Sequence, residues 1–522
     1  MSYPSPVLFS VLSARWKTNA DKPALVTPTG FTLTYGELDA AVAQHAGFLR
    51  ALGVQAGQRV AVQVEKSPDA LILYLGCLKA GAVYLPLNSA YQENEVDYFL
   101  GDAKPAVFVH QPKSTVWASR LCAKHGIDHR FEMAADGNVT QVLEGKPQVR
   151  RASWAENVRK AAPMLEFVER GADDLAAILY TSGTTGRSKG AMLTQHNLAS
   201  NALTLHALWG FEPRDVLLHA LPLFHVHGLF VACNIALINA STMLFHAKFD
   251  APAAIRDLQR ATVFMGVPTM YVRLLGEPTF DQAACSSMRL FVSGSAPLLA
   301  ETFNQFRSRT GHTILERYGM TETGMITSNP LVGARKGGTV GPALPDVEVR
   351  VVDDAGKVCA CDEIGHIQVR GPNVLAGYWQ MPEKTREEFT PDGWFKTGDV
   401  GKLDAEHYVT IVGRSKDLVI SGGYNVYPKE IELLLDEIPG VAESAVIGLP
   451  HPDFGEAVVA VLVAASGAVL QEAAIIAALK SSLAAFKVPK RVFIASELPR
   501  NVMGKVQKNE LRKLHADTFL RS

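Results

Sequence analysis

Tyr180-Thr181-Ser182-Gly183-Thr184-Thr185-Gly186-Arg187-Ser188-Lys189-Gly190 follows directly on the apolar run Leu175-Ala176-Ala177-Ile178-Leu179. Glycine permits positive φ and lets backbone N–H groups close around an anion. Thr181, Ser182, Thr184 and Thr185 add hydroxyl donors, and Lys189 adds a point charge suited to phosphate. The stretch therefore predicts a strand running into a polyphosphate cradle. It does not follow the G-x-x-x-x-G-K-[ST] spacing of a Walker loop, because Gly183, Gly186 and Lys189 are placed differently and Gly190 follows the lysine. Nothing in the chain matches the H-R-D, D-F-G or V-A-I-K companions of a kinase loop. A flexible surface loop is the alternative reading of such Gly/Ser/Thr density.

Outward from this loop, apolar β-rich runs alternate with helical patterns. Residues 59–63, 83–87, 106–110, 242–245, 263–265 and 290–292 read as strands, and 70–80 has a helical period. Such alternation predicts α/β units around mostly parallel sheets. Residues 335–412 change character to short alternating strands, such as VEVRVVD and GHIQVRG, separated by Gly, Pro and Asp turns. That predicts an antiparallel, barrel-like subdomain. Beyond Arg414-Ser415-Lys416-Asp417 the chain reads as a compact α+β unit, with helices over 428–438 and 471–486 and a solvated amphipathic helix in the tail. The predicted fold class is α/β: a large N-terminal domain (1–413) of stacked α/β subdomains with a β-rich subdomain (335–412), a hinge (414–416) and a small C-terminal domain (417–522).

The chain has 522 residues, a net charge of −1, 48% hydrophobic and 20% charged residues. No basic field argues for nucleic acid or an anionic membrane surface, and no apolar run reaches the ~18 residues of a transmembrane helix. The N-terminus has neither signal-peptide nor transit-peptide character, so cytoplasmic is the expected location. Six cysteines are too few and scattered for a disulfide scaffold, and Cys359-Ala-Cys361 has no second pair at zinc spacing.

Four further constellations share the theme of the loop. Glu316-Arg317-Tyr318-Gly319-Met320-Thr321-Glu322 offers an aromatic face for a purine and a carboxylate, Glu322, for Mg²⁺ on phosphates. Asp399, beside Gly398, can accept both ribose hydroxyls, and Arg414 can add a cation to the same sugar. Lys505 follows a Gly turn near the C-terminus, poised for electrostatic catalysis on a phosphate, where it acts as a charge and needs no perturbed pKa. His225 and His227 in LPLFHVHG have metal-like spacing but no third ligand; a packed core histidine is the alternative.

In order, YTSGTTGRSKG, LPLFHVHG, YGMTE, WFKTGD, GRSKDLVISGGYNVYPKEIE and PRNVMGKVQK resemble the signature of the adenylate-forming superfamily, which includes acyl-CoA synthetases, nonribosomal adenylation domains and luciferase. The resemblance spans Ala24 to Lys508. Within it, LPLFHVHGLF, GVPTMYVRLL, MRLFVSGSAPL and PKEIE are similar to malonyl-CoA synthetases. The resemblance implies ATP, Mg²⁺ and coenzyme A, a mobile C-terminal domain, and two steps: adenylation of a carboxylate, then thioester formation. It implies that Lys505 serves the first step only, that Lys416 lies at the hinge, and that Gly422 and Gly423 face the pantetheine tunnel. Nucleotide contacts are implied for Thr181 to Gly186, Lys189, Ser295, Ala296, Glu316, Arg317, Tyr318, Gly319, Thr321, Asp399 and Arg414. Mg²⁺ is implied at Glu322 and Thr184, and His225 beside the carboxylate as a gate.

A dicarboxylate requires a fixed cation for its second carboxylate, preferably an arginine fork. Arg273, early in a helix that Pro268 starts, is expected to share a face with Met270 and Leu274. It is the implied anchor, with Ser295, and Arg289 before the strand 290–292 is the second candidate; Met325 is expected in the same pocket. The expected activity is ATP-dependent malonyl-CoA synthesis, with methylmalonate as a further substrate. A short- or medium-chain monocarboxylate ligase, a carrier-protein loading enzyme and a non-catalytic binding module are the rivals.

Overall fold

A computed structural model of the chain describes residues 7–135, 139–141, 158, 160–181, 188–421, 424–480 and 482–519. The expected site residues Ser182, Gly183, Thr184, Thr185, Gly186, Gly422 and Gly423 lie outside the described residues.

Two eight-stranded sheets carry the N-terminal body. In one, Val216–His219, Thr242–Phe245, Val263–Gly266, Leu290–Ser293 and Leu315–Met320 run parallel, and Gly324–Ser328 closes the edge as an antiparallel hairpin partner. In the other, Arg59–Gln63, Val83–Pro86, Val107–His110 and Leu175–Thr181 run parallel. Strand Lys189–Thr194 returns antiparallel to Leu175–Thr181, with Thr181 opposite Lys189. The glycine-rich segment is therefore bracketed by two strands, where a Walker loop would lead into a helix.

The parallel strands are buried on both faces, which is why they read as unbroken Val/Ile/Leu runs. Their helices are started by local chemistry. Ser67 caps Pro68–Lys79, with proline in the first turn, and Thr34 with Glu37 forms a capping box on Tyr35–Ala51. Pro268 likewise opens Pro268–Gly276.

The β-rich region is a four-stranded antiparallel sheet of Glu348–Val352, Gly365–Arg370, Phe395–Leu403 and Val409–Arg414. Farther along, Val419–Ser421, Tyr424–Val426, Val441–His451, Gly455–Ala464 and Arg491–Ala495 form a sheet with helices Pro428–Asp436 and Glu472–Lys480. This lobe has its own apolar clusters, around Ile431 and Leu435 on one face and Ile447 and Leu511 on the other. Met503, however, is buried in the core of the N-terminal body. The helix expected over 471–486 is Glu472–Lys480, with non-helical turns over residues 482–486, and the tail helix is limited to Lys508–Leu514.

Candidate active site

Cross-strand register assembles the first part of the site. Asp399 lies opposite Arg414 in the antiparallel pair, and the guanidinium meets the carboxylate at 2.6 Å. The Tyr318 hydroxyl donates to the other carboxylate oxygen of Asp399, so the expected stacking ring and ribose acceptor meet although 81 residues apart. Glu322 is buried, and its Oε1 accepts from Thr181 Oγ1 (3.2 Å) and the Tyr378 hydroxyl (3.3 Å). Lys189, expected to face phosphate, is buried with its Nζ on Glu388 (3.1 Å) and over the Tyr378 ring (4.2 Å). Glu316 is also buried. Its Oε1 has no partner among the described residues, and loss of hydration pushes its carboxyl up to about 8, so it is a neutral acid at pH 7.

Lys505 stands in the crevice between the lobes, open to solvent yet among Arg414, Asp399, Lys416 and Asp417. Loss of hydration, then repulsion from Arg414, draws its ammonium down to about 8. It remains a cation at neutral pH, as the expected role of a charge requires, with little margin above it. Lys416 is exposed in the short turn Ser415–Asp417, where Asp417 pairs with Arg512 at 2.8 Å. The loop before Lys505 reaches the body: a methyl group on Gly504 would come within 2.9 Å of Thr269 Oγ1.

The second part is a cluster of buried polar groups around Arg317. Arg317, on strand Leu315–Met320, is buried, and its Nε and Nη2 have no partner among the described residues. It passes directly over Gly294, where a Cβ would lie 2.4 Å from the guanidinium and would force it to shift. His227 Nε2 and Ser293 Oγ are likewise buried and unpartnered. Ser295, held at φ 72°, shares a 3.2 Å hydrogen bond with His227 Nδ1. Burial, then the Arg317 charge, lowers His225 to about 4 and His227 well below the usual imidazole range, so both rings are neutral. Burial draws Arg317 itself to about 9, still cationic at pH 7.

Arg317, expected among the nucleotide contacts, thus stands beside the glycine turn 293–295 and the neutral rings of His225 and His227. Of the helix face expected to join Arg273, Met270 and Leu274, Leu274 turns into the core, whereas Arg273 is exposed and lines a cavity of about 480 Å³ with Met270, Thr269, Phe224, Lys66 and the loop residues Arg500 and Gly504. Ser295, its expected helper, shares its hydrogen bond with His227. Arg289 is corrected outright. It begins its strand at the end remote from Ser293, and its guanidinium is taken by the buried carboxylate of Asp215 at 2.5 and 2.7 Å. Met325 is buried in the apolar core against Gly319 and is absent from the cavity lining. Ala296 and Thr321 sit half-buried in the turns beside Ser295 and Tyr318.

The family of AMP-binding enzymes matches residues 12–379, and the AMP-binding enzyme C-terminal domain matches residues 430–505. A feruloyl-CoA synthase of Amycolatopsis sp is 36% identical over 488 residues, covering 93% of this chain and 94% of the relative. A malonate–CoA ligase of Arabidopsis thaliana is also 36% identical, over 88% of this chain and 78% of that one. The crystal structure of ATP-bound MatB from Rhodopseudomonas palustris superposes with a TM-score of 0.94 at 51% identity, covering 99% of this chain and all of that chain.

Proposed function

We propose, from the premise that this chain belongs to the AMP-binding enzyme family and is an AMP-forming acid–CoA ligase, that its acid is malonate, with methylmalonate as a second substrate. The observation that carries this reading is the buried guanidinium of Arg317 with two N–H groups unpaired. Leaving such a charge without a partner costs about 3–5 kcal/mol, which a ligand carboxylate would offset. A monocarboxylate would bring no anion for it beyond the one that reacts. His227 and Ser293 add neutral donors beside it, and neutral histidines do not compete for the carboxylate as counter-charges. Arg273, open at the cavity, attracts the dianion without anchoring it. The relative with malonate in its name and the 51% identical MatB structure support the same acid.

The first step joins a carboxylate oxygen to the α-phosphorus of ATP and expels pyrophosphate. In the second, the CoA thiol attacks the acyl carbon and AMP leaves. Lys505, brought to the crevice by the loop that touches Thr269, neutralises charge at the reacting phosphate in the first step. A preorganised cation there is worth roughly 2–4 kcal/mol. Asp399, Arg414 and Tyr318 hold the ribose and adenine, after their mutual bonds open to the nucleotide. The residues fit Mg²⁺: Glu322 is a single hard carboxylate, and no group of three His, Cys, Asp or Glu among the described residues forms a protein cage. Magnesium typically takes one or two carboxylates and substrate phosphates, and when bound it would neutralise phosphate charge. Lys416 and the residues 414–416 are the hinge, and 1–413 and 417–522 the domains it joins. No helix among the described residues is long and apolar enough to cross a membrane.

The test is acid-dependent ATP–pyrophosphate exchange across a panel. Malonate and methylmalonate should exceed propionate, hexanoate and ferulate; exchange driven by a monocarboxylate but not by malonate would overturn the choice of acid and leave the ligase chemistry standing.

A further inference from the structure

Lys66 is a buried lysine with no role in the chemistry above. It precedes the helix Pro68–Lys79 in one sheet layer and reaches into the other. Its Nζ donates to His219 Nδ1 at 2.6 Å and to the His219 carbonyl at 2.8 Å, and stands 4.2 Å from the centre of the Phe245 ring. Among the described residues it has no salt bridge to a carboxylate, unlike the buried Lys79, which reaches Asp39 at 3.7 Å. Burial lowers Lys66 to about 7, and in either form its N–H can donate; because the Gly228 carbonyl on the other side of the ring can only accept, Nδ1 of His219 carries the lone pair. The neutral ring then bears its proton on Nε2, which lies 2.8 Å from the carbonyl of Gly228 and donates to it. Burial, then coulombic repulsion by Lys66, holds this ring in its neutral form.

Gly228 belongs to the seven-residue π-helical segment His227–Cys233, a geometry that is uncommon outside functional sites. The turn is folded so tightly that a Cβ on Gly228 would sit 2.0 Å from the Pro222 carbonyl oxygen. His225 and His227 lie inside that fold, and His227 N–H donates to His225 Nδ1 at 3.2 Å. The orientation of both rings thus depends on where the Gly228 carbonyl is held.

We propose that Lys66 is a positioning residue for the acid: by fixing the tautomer of His219 it pins the Gly228 carbonyl, and with it the turn that presents His225 and His227. The proposal rests on the reading of that turn as the acid site, but not on which acid binds there. Lys66→Met removes the donor, allows the His219 proton to move to Nδ1 and loosens the turn. Lys66→Arg keeps a cationic donor, and the cavity beside Lys66 leaves room for the larger group.

Exchange is measured with whichever acid of the panel the wild-type protein uses best. Lys66→Met should raise KM for the acid by at least about tenfold, with kcat and KM for ATP within about threefold, and Lys66→Arg should stay within about threefold of wild type throughout. Equal changes in all three parameters, or an unchanged KM for the acid, would overturn the proposal. Independently, ¹⁵N-histidine NMR of the wild-type protein, with His219 assigned by its loss in His219→Gln, should show the Nε2–H tautomer. A ring protonated at Nδ1, or at both nitrogens, would overturn it even if Lys66→Met does not fold. Absence of exchange with malonate would remove the choice of acid without touching either result.

Discussion

Replacing Arg317 by methionine separates a ligand-directed charge from a structural one. Its guanidinium is buried, with Nε and Nη2 unpartnered among the described residues, and it lies near the neutral rings of His225 and His227 and the Tyr271 hydroxyl, which donates to the Val292 carbonyl. An isolated buried charge is unfavourable by about 3–5 kcal/mol, so removing it relieves the ligand-free fold. The thermal midpoint of ligand-free Arg317→Met should hold or rise. The same interaction is lost to the far carboxylate, and at 1.36 kcal/mol per decade kcat/KM for malonate should fall roughly 100- to 5000-fold. Propionate, which has the same carbon skeleton without the second carboxylate, should lose little or gain. The assay is exchange with both acids alongside calorimetry of the free protein. A lower midpoint with equal losses for the two acids would refute the reasoning, because it would identify Arg317 as part of the framework.

Because Lys505 in the free protein is drawn to about 8, its cationic form is lost as pH rises through that value. In exchange assays kcat/KM should therefore decline above about pH 8, whereas kcat, measured with triphosphate bound, should hold to higher pH; a flat kcat/KM to pH 9.5 would contradict this. Lys505→Ala should abolish exchange yet leave thioester formation from preformed malonyl-adenylate, and loss of both would refute a role confined to the first step. Arg289→Met leaves the buried Asp215 carboxylate without its ion pair and should destabilise by about 3–5 kcal/mol without altering the preference for malonate over propionate. His45, His110 and His225 are lowered to about 4 by burial, below the ~6.5 of the unfolded chain. Below 6.5 the unfolded state binds more protons, so this contribution is complete above that pH and is lost as pH falls towards 4. Calorimetric midpoints should drop from pH 7 to 5, and a constant midpoint over that range would exclude it.

Much of the architecture was legible because burial on both faces of a parallel strand leaves an unbroken apolar run, and because caps and prolines act within one turn. The strands at 59–63, 242–245 and 290–292, and the helix begun by Pro268, are of this kind. The helix after 471 was overextended, since alanine-rich composition does not mark where tertiary contacts end. Glu322, Asp399 and Arg414 stood out because each lies in a short motif, and register alone brings the last two together.

By itself, the order of residues determined the α/β class and the ATP-dependent ligase chemistry, since phosphate cradles and helix starts depend on neighbours a few positions away. Which arginine is left with unpaired donors among the described residues was decided only in three dimensions. Arg289 carries the same side chain as Arg317, yet one meets Asp215 and the other has two nitrogens without a partner among the described residues. Whether a buried charge is satisfied depends on all that surrounds it, and those surroundings come from segments tens to hundreds of residues apart.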